Sequence, residues 1–232
     1  MNADMKPRGF PLWTKLLLTG YLAVLVPFYW KEYGPTNFLY FCDVAILMSL
    51  VAIWTERSLW ASMPAVGILI PQAVWCIDFT IGLFGGQWLK MTDYMFDEEI
   101  SLFARGLSFF HFWLPFLLVW MVWRLGYDRR AFAAWSVLAI ALLLICWLLM
   151  PAPPAPFDNK NLPVNINYVY GLDDKQAQTW MHPTAWFALL VVGLPLIVYL
   201  PTHLALRWAF PKPHGRGDAA PDVPAPSLPL AA

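Results

Sequence analysis

Long apolar runs, separated by short polar joins, dominate this chain. Six of these runs are long enough to span about 30 Å of hydrocarbon at about 1.5 Å of helical rise per residue. They cover residues 12–30, 37–55, 59–84, 106–124, 131–150 and 183–207. The pattern predicts an all-α, polytopic membrane protein with six transmembrane helices.

The joins between the runs carry residues that end helices or stay in water. Glu56 and Arg57 separate the second and third runs, and the segment GYDRR, 126–130, separates the fourth and fifth. The segment PAPPAP, 151–156, ends the fifth run, because repeated proline cannot continue a helix. A tail poor in large apolar residues is expected to be disordered. We therefore predict an N-terminal segment, 1–11, a membrane domain, 12–209, with long loops at 85–105 and 151–182, and a disordered tail, 210–232.

The distribution of Lys and Arg predicts the orientation of the helices, because cytoplasmic loops carry an excess of both residues. With the N-terminus inside, the cytoplasmic side holds Lys6, Arg8, Lys15, Arg57, Arg124, Arg129, Arg130, Arg207, Lys212 and Arg216. The outer side then holds Lys31, Lys90, Arg105, Lys160 and Lys175. This excess predicts that both termini are cytoplasmic and that the two long loops lie outside. We expect the membrane to be a bacterial cytoplasmic membrane.

Composition supports the membrane assignment and excludes other classes. The chain is 59% hydrophobic and 13% charged, whereas soluble domains carry about 25% charged residues. The formal net charge of +0 gives no electrostatic reason to expect a nucleic-acid partner. The three cysteines lie in apolar runs without CxxC spacing, so neither a disulfide framework nor a zinc site is expected. We predict no metal and no cofactor.

Ionisable residues inside the apolar runs are the candidates for function, because each costs about 2.5–3.5 kcal/mol to insert at mid-bilayer. In the second run, FLYFCDVAIL places Cys42 beside Asp43, about one and a half turns below the predicted outer end of the helix. The predicted topology brings these two residues to the same outer level as Asp78, His111 and His182. His203 falls near the inner face instead.

This convergence predicts a polar pocket that opens outward. The segment NLPVNINYVYGLDD, 161–174, is the candidate cover, and its Asn165, Asn167 and Tyr168 supply hydrogen-bonding groups for the pocket or lid. A Cys–His pair in such a pocket can make a thiolate that attacks an ester or thioester carbonyl. Cys42 is then the candidate nucleophile and His111 the candidate base.

Asp43 and Asp78 are supporting carboxylates in this interpretation, able to orient the imidazole and stabilise its charged form. The expected substrate is a membrane lipid or fatty-acyl compound that arrives from the bilayer. The sequence does not indicate an oligomeric state or identify a partner protein.

Other interpretations of the same residues stay open. Cys42 is equally explained as a small buried apolar residue, Asp43 and Asp78 as interhelical hydrogen-bonding groups, and His111 and His182 as helix-start residues. A non-catalytic lipid- or solute-binding or transport protein also fits, because a proton-coupled carrier needs carboxylates that a Cys–His acyl site does not. Haem or quinone binding through His111 and His182 is a third possibility, although His182 lies at a helix edge.

Four short segments carry a resemblance to a known family. They are LYFCD, 39–43; FFHFW, 109–113; NYVYGL, 167–172; and TWMHPTAWFALL, 179–190. In order and content they resemble the YwaF-type integral membrane family of bacteria and its eukaryotic transmembrane lipid acyltransferase relatives. The resemblance covers roughly residues 30–205, with Tyr40 standing where the family has His. It implies that Cys42 is a catalytic cysteine, that His111 is its partner, and that fatty acyl chains on phospholipids are the substrate.

Overall fold

A computed structural model describes residues 9–154, 162–173 and 176–213. Its helices are α1 Leu12–Tyr33, α2 Phe41–Thr55, α3 Ser58–Leu83, α4 Leu102–Ser108, α5 Phe110–Leu125, α6 Ala131–Leu149, α7 Pro183–Gly193 and α8 Leu200–Ala209. A π-helical segment, Leu194–Tyr199, joins α7 to α8. No strand occurs in these ranges. Most of the predicted N-terminal segment 1–11, part of the loop 151–182 and the predicted disordered tail beyond Pro213 lie outside the described residues.

Five helical stretches are long and apolar enough to cross a membrane. They are Leu12–Tyr33, Ser58–Leu83, Leu102–Leu125, Ala131–Leu149 and Pro183–Ala209. The prediction of an all-helical fold is therefore confirmed for the described residues, and the length and composition of these five stretches support a multi-pass membrane protein. The predicted count of six spans is not confirmed, because α2 has 15 residues, a length of about 22 Å that is shorter than the hydrocarbon layer. The identity of the membrane stays a prediction.

Helix α2 starts later than the sequence predicts. Pro35–Leu39 form a 3-10 turn, and Tyr40 is extended with φ −61° and ψ 137°, so the α-helix begins only at Phe41. Proline suits a first helical position because it has no N–H to pair, but the turn that it opens here does not continue into α2. Cys42 and Asp43 consequently lie in the first turn of α2 rather than one and a half turns inside a helix.

The two described ends of the chain lie at the same end of the bundle, which we call the terminal end. The Glu56 carboxylate, after α2, accepts hydrogen bonds from the Phe10 N–H at 3.1 Å and from Lys15 Nζ at 2.7 Å. The Tyr127 N–H, after α5, donates to the Pro211 carbonyl, after α8, at 2.8 Å. Which side of the membrane this end faces stays a prediction.

The opposite end carries the two long loops, and we call it the loop end. Asp78, near the end of α3, accepts hydrogen bonds from the loop residue Thr92. Asn167, in the second loop, accepts from the Phe41 N–H at the start of α2 and donates to the Cys146 sulfur near the end of α6. The helices therefore alternate in direction as the short joins between them require.

Helix α3 is the centre of the bundle and packs against α2, α5, α6 and α8. Small residues on α3 let its neighbours approach closely, as is typical of helix pairs in membranes. The closest approach is at Gly67, where the ring of Trp135 from α6 lies against the backbone. A Cβ added at Gly67 would lie 1.8 Å from Cε2 of Trp135.

Replacing Gly67 with Ala should therefore destabilise the protein by about 1–3 kcal/mol, the usual cost of overpacking a core. The check is thermal unfolding of the purified protein in detergent. Gly20→Ala is the matched control, because a Cβ at that helical position meets nothing within 4 Å. Equal melting temperatures for the two variants would contradict the packing argument.

Candidate functional site

A cluster of buried polar side chains occupies the loop end of the bundle, and Asp43 is its central member. The Asp43 side chain belongs to an apolar helix and is only 3% exposed. Its Oδ2 accepts a hydrogen bond from Asn37 Nδ2 at 3.2 Å. Its Oδ1 is buried and has no hydrogen-bond partner among the described residues. A buried carboxyl oxygen without a partner is costly, so this atom needs an explanation.

Two phenols from α1 face the carboxyl group. Tyr29 OH lies 2.8 Å from Ser108 Oγ, and Tyr21 OH donates to the Leu107 carbonyl. The Asp43 carboxyl interacts electrostatically with both phenols. Helix α1 therefore contributes one wall of the cluster and ties it to α4.

Tyr94 joins the cluster from the loop between α3 and α4. Its hydroxyl accepts a hydrogen bond from Trp75 Nε1 at 3.2 Å. Burial raises the pKa of Tyr94, the hydrogen bond from Trp75 lowers it, and the nearby Cys42, Tyr168 and Asp43 raise it further. This loop residue thus lies close to α2 and to the second loop at once.

His111 is fixed at the start of α5. Its Nδ1 is 2.7 Å from the Ser108 carbonyl oxygen, and since a carbonyl only accepts, Nδ1 carries the proton and Nε2 of the neutral ring is an acceptor. The ring centroid lies 5.3 Å from that of Trp75 and 4.1 Å from that of Phe110. The position agrees with a helix-start residue that also keeps one basic nitrogen available.

The hydrogen bonds of Cys42 and His111 do not join the two side chains. The Cys42 sulfur lies against the backbone N–H groups of residues 42 and 43, in the first turn of α2. A different thiol, that of Cys76, lies 3.9 Å from the His111 backbone carbonyl. The Cys42–His111 catalytic pair therefore stays a prediction.

Asp78 differs from Asp43, because its carboxyl group accepts all of its hydrogen bonds from one loop. Oδ1 accepts from the Leu89 N–H at 2.8 Å, and Oδ2 accepts from the Thr92 N–H at 3.0 Å and from Thr92 Oγ1 at 2.9 Å. A carboxylate that accepts several backbone N–H bonds is well satisfied. Asp78 thus anchors the loop that carries Tyr94.

A cavity of about 470 Å³ lies beside Asp78 and is lined by loop residues that include Thr92 and Asp97. Its lining contains neither Asp43 nor His111. The buried cluster and this cavity are therefore separate features of the loop end.

The two asparagines of the predicted lid hold the second loop in shape. Asn165 Oδ1 accepts from the Tyr170 N–H at 2.7 Å, and Nδ2 donates to the Gly171 carbonyl at 2.8 Å. Asn167 Oδ1 accepts from the Phe41 N–H at 3.0 Å, and Nδ2 donates to the Leu39 carbonyl at 2.9 Å. Both residues have positive φ, 55° and 57°, a conformation that asparagine tolerates better than most residues. Both amides are thus engaged within the protein.

The remaining predicted residues lie at the edge of the cluster. The Tyr168 carbonyl accepts from Trp186 Nε1 at 2.9 Å, which ties the loop to α7. His182 is exposed, and its Nδ1 accepts from the Thr184 N–H at 3.3 Å as the cap of α7. No group of three or more His, Cys, Asp or Glu side chains within the described residues is placed to hold a metal ion.

Sequence reasoning missed four members of the cluster. They are Tyr21, Tyr29, Asn37 and Tyr94. The spacing of eight residues between the two tyrosines of α1 puts them on one stripe of that helix, which is a usable signal. Tyr94 carries no such signal, because a loop residue reaches the cluster only after the loop has folded onto α3.

No known protein family, curated protein or solved structure matches this chain. The resemblance to the YwaF-type family accordingly stays a prediction.

Replacing Asn167 with Gly should destabilise the protein by about 1–3 kcal/mol, because the Phe41 N–H and the Leu39 carbonyl would lose their partner. Glycine tolerates the positive φ, so the loss of stability reports the removal of the side-chain amide rather than backbone strain. Thermal unfolding in detergent measures it. Lys90→Gly is the matched control, since Lys90 is exposed and also has a positive φ, of 61°. If Asn167→Gly unfolded at the same temperature as Lys90→Gly, the bridging role would be wrong.

Proposed function

We propose that this multi-pass membrane protein binds a small solute or a lipid head group at the buried polar cluster, as a binding or transport protein without chemistry of its own. Asp43 recognises a cationic or hydrogen-bond-donating group of that ligand. The observation that carries this proposal is the Asp43 carboxyl, buried with Oδ1 unpartnered in the described residues. No Lys or Arg of the described chain forms an ion pair with it. An ionisable residue inside a membrane helix is retained at a cost, which points to function.

The surroundings of Asp43 favour an organic ammonium group as the bound moiety. Three phenols from two elements interact electrostatically with the carboxyl group: α1 supplies Tyr21 and Tyr29, and the loop after α3 supplies Tyr94. A carboxylate combined with aromatic rings recognises ammonium groups by charge and by cation–π attraction. The Asn37 amide donates to Oδ2 of Asp43 and so fixes the orientation of the Asp43 carboxyl group.

Ammonium compounds should raise the melting temperature of the purified protein, and Asp43→Asn should remove this effect. The probes are ethanolamine and tetramethylammonium chloride, with sodium chloride as the salt control. A ligand at about ten times its dissociation constant stabilises the folded state by about 1.4 kcal/mol. The asparagine variant keeps an oxygen that can accept from Asn37, so its fold should persist.

The control variant is Asp93→Asn, which removes an exposed carboxylate from the same end of the bundle. It should respond to the ammonium probes as the unaltered protein does. The proposal fails if neither probe stabilises the protein beyond sodium chloride, or if Asp43→Asn responds as strongly as Asp93→Asn.

A second candidate function is acyl transfer or ester hydrolysis on lipid. Two positions favour it: Cys42 lies in the first turn of α2, and His111 keeps Nε2 as an acceptor for a thiol proton. The thiol proton would pass to Nε2, sulfur would bond to the acyl carbon, and the departing alkoxide would take that proton. The two side chains would have to approach each other for this step.

Labelling with an acyl-thioester probe separates the two functions. If Cys42 is a nucleophile, Cys42→Ala and His111→Ala should both lose the label, while Cys76→Ala should keep it. Under the binding function we expect no dependence of the label on Cys42, and lipid composition in cells should be the same with and without Cys42→Ala. A label lost only in Cys76→Ala would overturn the assignment of Cys42.

A further inference from the structure

The terminal end of the bundle is basic. The described Lys and Arg residues at this end are Lys15, Arg57, Arg124, Arg129, Arg130, Arg207 and Lys212. The carboxylates described at this end are those of Glu56 and Asp128, and each is already paired. Glu56 Oε1 lies 2.7 Å from Lys15 Nζ, and Asp128 Oδ2 lies 2.8 Å from Arg130 Nη2. The hydrogen bond from Arg130 lowers the pKa of Asp128, so this carboxylate stays ionised and paired at neutral pH.

Arg129 and Arg207 remain without a carboxylate partner in the described chain. Both are exposed, and they come from two different parts of the chain, the turn just before α6 and the last turn of α8. Both guanidinium groups interact electrostatically with the imidazole of His203. Arg207 follows His203 by one turn of α8, and Arg129 precedes by three residues Phe132, whose ring centroid lies 5.2 Å from that of His203. Two cations held near one partly buried ring repel each other, and an anion between them would remove that repulsion.

The imidazole of His203 is held so that one nitrogen stays available. Its Nδ1 lies 2.6 Å from Tyr127 OH, and the ring packs 5.2 Å from the ring centroid of Phe132. When the phenol donates to Nδ1, Nε2 carries the proton and is a donor. Arg129 and Arg207 offer only hydrogen-bond donors, and His203 adds one more in this tautomer, which suits phosphate oxygens.

An apolar face of α8 adjoins these donors. Leu204 and Trp208, four residues apart and therefore on one side of the helix, are 52% and 90% exposed. Trp is enriched where membrane meets water, and Arg near helix ends reaches toward the head groups. An acyl chain alongside Leu204 and Trp208 would place a phosphate next to Arg207, whereas free phosphate would use no part of this face.

We propose that Arg129, Arg207 and His203 form a binding site for the phosphate of an anionic phospholipid, with Leu204 and Trp208 against its acyl chain. The site is independent of the Asp43 cluster, which lies at the opposite end of the bundle. Basic pockets between transmembrane helices bind anionic head groups in this manner. A bound lipid would hold α6 and α8 together where their ends meet.

The test titrates phosphatidylglycerol into the full chain in detergent and follows the first bound lipid by native mass spectrometry. Arg129→Gln combined with Arg207→Gln should weaken this binding roughly 30-fold, since each juxtamembrane Arg contributes about a five-fold factor. The control combines Arg57→Gln with Lys212→Gln, which removes the same charge from exposed positions at the same end. The control should bind phosphatidylglycerol as the unaltered protein does. Each single Arg variant should lose affinity for phosphatidylglycerol about five-fold. The single variants provide the test if the double variant does not fold.

Two further measurements distinguish a phospholipid from free phosphate as the ligand. Phosphatidylcholine should bind without any difference between the variants, and sodium phosphate should not displace phosphatidylglycerol. Equal losses in the Arg129/Arg207 and Arg57/Lys212 variants would show a general charge effect and overturn the site. Displacement by sodium phosphate would overturn the lipid assignment and identify a free-phosphate site.

Discussion

The structure of the loop end depends on the side-chain amide of Asn167, which pairs backbone groups between the 3-10 turn and α2. Between the 3-10 turn and α2, the Leu39 carbonyl and the Phe41 N–H have no helical partner, and the Asn167 side chain pairs both. Buried backbone groups without a partner are costly, so a helix can start at this buried position only if the protein supplies one. The start of α2, and with it the position of Cys42 and Asp43, therefore depends on a loop more than 120 residues away in sequence.

Two aspartates that look alike in the sequence have opposite roles. Asp78 accepts three hydrogen bonds from the loop that follows α3, so both of its carboxyl oxygens have partners within the fold. Asp43 has one amide donor and one oxygen with no partner in the described residues. Because its oxygens are hydrogen-bonded, Asp78 anchors the loop. Asp43 keeps one oxygen that a proposed ligand would pair.

The two ends of the bundle have opposite chemistry. The buried Asp43 carboxyl group and nearby phenols mark the loop end, while the guanidinium groups of Arg129 and Arg207 interact with His203 at the terminal end. The proposed ammonium ligand and the proposed phospholipid phosphate follow from this contrast. An excess of Lys and Arg at the terminal end also agrees with a cytoplasmic location for that end, through the attraction of basic residues to anionic lipid.

Hydropathy alone predicted the all-helical class and the order of the apolar helices, because about 20 consecutive apolar residues leave few alternatives in water or lipid. Spacing along α1 could also have revealed Tyr21 and Tyr29. Only the tertiary structure decided that α2 starts at Phe41 and that the loop residue Tyr94 bonds to Trp75 of α3. The reason is physical: which buried polar atom finds a partner depends on loops folding back onto helices, and such long-range contacts leave no periodic mark in the sequence.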